Sequence, residues 1–175
     1  LCNEIQANAV VFTGDIIDFP SRRNIDLMKS EFGKLAAPYL YTLGNHDWSY
    51  PHMAFSDEVR MNHYDRFRQW SAHTPGCEVL DVGGVRLIAV DNSNYQVTRA
   101  QLQLVQQHAE AGRPCLLFMH IPIYLPSLEQ DVVNRWGAPI MMGAGHWAAE
   151  SRRSWSVREM DDSTSVLCDW LTSPE

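Results

Sequence analysis

Apolar positions along the chain fall into short unbroken runs and longer stretches at helical spacing, and the two kinds alternate. Ala9 to Thr13 is nearly continuous and ends in Gly14-Asp15. An apolar run that short, with no polar face, reads as a strand covered on both sides, as in a parallel α/β sheet. Ile25 to Ala37 then carries Ile25, Leu27, Met28, Phe32, Leu35 and Ala36 close to a helical period. Pro38 opens a second run, Tyr39 to Leu43, again closed by glycine at Gly44-Asn45. Strand, helix and strand in that order make a βαβ unit.

Asp57 to Ala72 predicts another helix, and Cys77–Val82 and Val85–Val90 predict a hairpin turning at Gly83-Gly84, where glycine supplies positive φ. Thr98 is placed to cap a helix reaching about Ala111, stopped by Gly112 and Pro114. Cys115 to Met119 is a further buried strand with His120 at its end. The stretch from Ile121 to Arg158 is rich in Pro, Gly and Trp and reads mostly as loop, with a short helix near Glu129 to Trp136. Asp161-Asp162-Ser163 leads into a last helix, Thr164 to Leu171.

Composition changes this picture in a few respects. With 45% hydrophobic and 20% charged residues among 175, the chain can bury a sizeable core and is not a disordered tail. A formal charge of −7 leaves no basic footprint, which argues against nucleic acid and anionic membrane surfaces as partners. Phosphate esters stay within reach of so acidic a protein only if bound metal ions supply the local positive charge. No apolar stretch is long enough to span a bilayer. Cys2, Cys77, Cys115 and Cys168 form no CxxC pair. Reduced thiols in a cytoplasmic protein are the favoured reading, with a disulfide left open by the even count. The chain starts without Met and stops just past a helix, so residues 1–175 read as one domain, a piece of a longer protein.

Three strand ends deliver polar residues in the same manner: Gly14-Asp15-Ile16-Ile17-Asp18, Gly44-Asn45-His46-Asp47 and His120-Ile121-Pro122. Ligands of open α/β sheets bind outside the carboxyl ends of the strands. Asp, Asn and His converging there offer hard oxygens and imidazole, a donor set for Mn, Fe, Zn or a similar divalent ion. In this order, and with Asn45 thirty residues after Asp15 across a helix, the blocks resemble the second, third and fourth signatures of the calcineurin-like metallophosphoesterases. The resemblance runs from about Ala9 to His120 and implies a two-sheet β-sandwich flanked by helices.

Carried over by position, the resemblance implies two divalent metal ions and a small phosphate mono- or diester as substrate. Asp15 would bridge the metals, while Asn45 and His120 would bind the second. His46 would stand over the phosphate with Asp47 orienting its ring, and the metals would lower the pKa of a shared water. Asp18, followed by Phe19-Pro20, departs from the purple acid phosphatase and phosphoprotein phosphatase branches. What remains resembles a broad bacterial group of phosphodiesterases and small phosphoesterases.

Two of the family's blocks have no match. No Asp-x-His precedes Asp15, and Gly145-His146-Trp147-Ala148 has Ala where Gly-His-x-His requires its second His. The complete blocks are expected outside this sequence. The rival is a catalytically incomplete domain that serves in binding or scaffolding. Asp91 and Asn92, which follow a strand, are candidates for the substrate side. His146 is read as a loop residue with an adventitious ligand as the alternative, His52, His63, His73 and His108 as surface or hydrogen-bonded residues, and Trp136, Trp147 and Trp155 as loop packing ahead of a substrate-facing lid. The Gly143 segment, which imitates a dinucleotide fingerprint, has no strand before it and is rejected.

Overall fold

The structure is a computed structural model that describes residues 1–70, 76–110 and 112–173. Its first unit is β1 (Val10–Phe12), α1 (Arg22–Phe32) and β2 (Tyr39–Tyr41). The two strands pair in parallel, Val10 opposite Tyr39 and Phe12 opposite Tyr41. Ser21 sets the start of α1 by accepting the Asn24 N–H, and Gly33 closes it. The helix is therefore shorter than its apolar period, which runs on through Leu35 and Ala36 into the connection. Met28 and Phe32 are its buried residues, and Phe32 stacks on Phe12 at 4.4 Å between centroids.

Past β2 the chain makes a single helical turn, α2 (Asn45–Trp48), then α3 (Asp57–Tyr64), capped by Ser56, and a 3₁₀ turn at Asp65–Phe67. The expected helix over Asp57 to Ala72 thus breaks at Tyr64. Its last positions, with His73, lie outside the described residues, as does Ala111.

The second sheet has the order β3 (Cys77–Val82), β4 (Val85–Val90), β5 (Cys115–Met119). The β3–β4 hairpin is antiparallel, and β4–β5 is parallel across α4 (Arg99–Ala109). Gly83 and Gly84 both have positive φ, the turn that the Gly-Gly pair predicts. Thr98 and Gln101 form the capping box that opens α4.

Leu40 of β2 is buried in one cluster with Leu87 and Ala89 of β4, so the two sheets share core contacts. A larger cluster joins Ile88 and Val90 of β4 to Leu102 and Val105 of α4 and to Leu167 of α7 (Asp162–Thr172). This mixed arrangement is the two-sheet, helix-flanked fold that the sequence resemblance implied. Two further helices occupy the stretch read mostly as loop. The first, α5 (Pro126–Trp136), starts earlier than expected because Pro126 takes its first turn; α6 (Ala149–Ser154) was unforeseen. All four cysteines are free, and burial pushes the Cys77 thiol up to about 11. Among the described residues no helix is long and apolar enough to cross a membrane.

Candidate active site

The turns after β1 and β2 meet backbone to backbone. A Cβ on Gly14 would stand 2.3 Å from the Gly44 nitrogen, and one on Gly44 would stand 2.2 Å from an Asp15 carboxylate oxygen. Only two glycines let the turns approach so closely. Asp15 takes a left-handed backbone, φ 53°, a strained choice for a side chain with a Cβ. Its Oδ1 accepts the His46 backbone N–H at 3.0 Å.

Asp47 is fully buried beneath this junction. Its Oδ2 accepts from the N–H groups of Asp15 (2.9 Å) and Gly44 (2.8 Å). Oδ1 accepts from Ile16 (2.9 Å) and Ile17 (3.1 Å). One carboxylate therefore ties both turns together. Burial raises its pKa, and the donors from Gly44 and Ile17 pull the other way. This corrects the role expected for Asp47: the His46 ring is held by Asp18, whose Oδ1 lies 2.9 Å from His46 Nδ1. Spacing alone did not separate these two acids, since both stand near His46.

His120, at the end of β5, faces the same turns. Its Nδ1 donates to the Thr13 carbonyl at 2.8 Å, which directs Nε2 toward the two turns. That nitrogen points at Asn45 Oδ1 (3.1 Å) and Asp15 Oδ2 (3.5 Å). A ring nitrogen, an amide oxygen and a carboxylate oxygen thus converge on one point. Donors about 2.1 Å from one ion stand about 3.0–3.4 Å apart, so the observed separations suit a shared cation.

Asp91 and Asn92, the candidates for the substrate side, are both buried. Asp91 is 2% exposed, paired with Arg60 and bonded to the N–H and hydroxyl of Ser93. Asn92 is fully buried, and its Oδ1 accepts from the N–H groups of His120 (3.1 Å) and Ile121 (3.0 Å). Its Nδ2 donates to the Ile121 carbonyl at 2.7 Å. The Asx-rich turn holds the backbone that presents His120, a role visible only once β4 and β5 lie side by side. Its signal in the sequence was the polar cluster directly after an apolar strand.

The site opens into a cleft of about 680 Å³ lined by Asp15, Asn45, His46 and His120 at one end. His146 lies elsewhere, on Glu129 of α5 at 3.1 Å. His63 is buried against the Trp48 carbonyl. The sequence profile of the calcineurin-like phosphoesterase family matches residues 1–152, which takes in every residue of the junction. The chain belongs to the calcineurin-like phosphoesterases. No curated protein matches it. Members of this family are phosphoester hydrolases that use divalent metals. Among the described residues of this phosphoesterase, no three His, Cys, Asp or Glu side chains gather closely enough to hold an ion by themselves. Its converging set includes Asn45, and so draws on an amide oxygen.

Proposed function

We propose that this calcineurin-like phosphoesterase hydrolyses a small phosphate mono- or diester with a divalent metal at Asp15, Asn45 and His120. The observation that carries it is the convergence of His120 Nε2, Asn45 Oδ1 and Asp15 Oδ2 within 3.1 and 3.5 Å, a donor set suited to a divalent ion. Bound there, the metal supplies Lewis-acid charge to the phosphoryl oxygens and acidifies water. The protein's own residues do the rest. The Thr13 carbonyl fixes the His120 tautomer, and Asn92 fixes its backbone. Asp18 accepts from His46 Nδ1 and orients the ring, leaving Nε2 to meet the departing ester oxygen. Asp15 is the ligand a second ion would share in a dinuclear centre.

A binding-only domain is the second reading, favoured by the lack of a three-residue acid or histidine cluster among the described residues. Manganese titration followed by hydrolysis of bis(p-nitrophenyl) phosphate separates the two. Hydrolysis that needs Mn²⁺ and is lost in His120→Ala supports the enzyme, with two ions per chain marking the dinuclear form and one the mononuclear. Manganese binding without turnover leaves the binding domain. Hydrolysis surviving complete metal removal would refute the proposed chemistry.

A further inference from the structure

The metal end fills only part of the cleft. The remaining wall is apolar and includes Phe55, Val132, Trp136, Ile140 and Trp155. Trp136 and Trp155 meet edge to face, 6.1 Å between centroids at 78°, yet they are 47% and 43% exposed. Half-exposed indoles in a concavity next to a polar site are the usual make-up of a small-molecule pocket. Arg135 lies over the Trp136 ring at 5.4 Å and steadies it. Trp136 and Trp155 line the cleft, the less favoured of the two roles that the sequence left open for them.

Backbone strain singles out the same cleft. Four non-glycine residues have a positive φ among those described: Gln6, Asp15, Tyr95 and Ser156. The last three line this cleft. Strain gathered in one concavity marks a functional surface. Among the described residues no lysine or arginine lines it, and Arg135 is engaged with the Trp136 ring, which disfavours a second anionic group there. Burial and the Asp15 charge keep the Tyr95 phenol neutral, its pKa pushed up to about 12.

We infer that the Trp136–Trp155 wall is a subsite for the organic arm of the ester, and that this arm is an uncharged aromatic ring rather than a sugar phosphate or polyphosphate. The inference rests on the phosphoester reading, since it places the phosphoryl group at Asp15, Asn45 and His120. A ring stacked on one indole and met edge-on by the other gains contact that a methyl group does not.

The test is binding of phenylphosphonate and methylphosphonate to the full chain with saturating Mn²⁺, read by calorimetry and tryptophan fluorescence. Phenylphosphonate is expected to bind about tenfold tighter, as one aromatic stacking contact implies. Trp136→Ala and Trp155→Ala should each remove most of that preference while leaving methylphosphonate affinity unchanged. Trp136→Phe, which keeps a ring, should retain much of it and guards against a misfolded alanine variant. Equal affinity for the two phosphonates would overturn the aromatic subsite and leave the phosphoester reading intact. Equal losses for both ligands in the tryptophan variants would also overturn it. Failure of both phosphonates to bind would take the phosphoester reading down with it.

Discussion

Replacing Asp47 by Asn tests the central claim about the site, that a buried carboxylate and not a ring contact organises it. The substitution preserves shape, but an amide presents one acceptor oxygen where the carboxylate presents two. Oδ1 and Oδ2 each take two backbone N–H groups, from Ile16 and Ile17 and from Asp15 and Gly44. In the variant one pair of donors must face an NH₂ group. Each orphaned buried N–H costs about 1–3 kcal/mol. Relief from burying a charge offsets part of this, leaving a net loss of about 2–4 kcal/mol. That is a large share of the roughly 5–15 kcal/mol that holds a domain folded. Urea unfolding of the metal-free protein measures it directly. Asp18→Asn is the control: Asp18 is 70% exposed, and losing its contact to His46 should cost under about 1 kcal/mol while lowering hydrolysis. If Asp47→Asn unfolded at the wild-type midpoint, the account of Asp47 as the tie between the two turns would be refuted.

Gly44→Ala should yield little folded protein, because its Cβ would overlap the Asp15 carboxylate and nitrogen at 2.2 and 2.3 Å; circular dichroism and soluble yield check this. The Glu78 carboxyl on β3 is pushed up to about 7, mainly by burial, with a Tyr41 backbone donor pulling down. Its folded pKa lies above the unfolded one, so stability is full below about pH 4.5, falls as pH rises through about 7, and is then flat. After discounting for partial exposure, Glu78→Gln should raise stability at pH 8 by about 1–2 kcal/mol and change nothing at pH 4. Urea midpoints at the two pH values read this, and an equal gain at both would contradict the titration argument.

Strands, their order and the residues at their ends were legible because local physics writes them into the chain. Short apolar runs announced β1, β2 and β5, the first two closed by glycine and the third by His120; the Gly83-Gly84 pair announced the hairpin, and Thr98 announced α4. The break at Tyr64 and the helix α6 were not legible. Helix ends there depend on what the faces pack against, and the Trp-rich stretch has no regular apolar period.

For the site, the sequence by itself determined which residues arrive: Asp15, Asn45, His46 and His120, each at the carboxyl end of a strand or in the turn just after it. Tertiary structure alone decided what their neighbours do. Asp47 and Asp18 are alike in sequence, yet burial gives Asp47 four backbone donors while exposure leaves Asp18 to the His46 ring. Asn92 turned out to hold His120 because β4 and β5 run side by side, with Val90 opposite Met119. Trp136 and Trp155 came to line the cleft for the same reason, contact between distant segments. Which side chains converge is carried by residue type and spacing; the division of labour among equal side chains is set by burial and by which backbone groups lie within hydrogen-bonding reach.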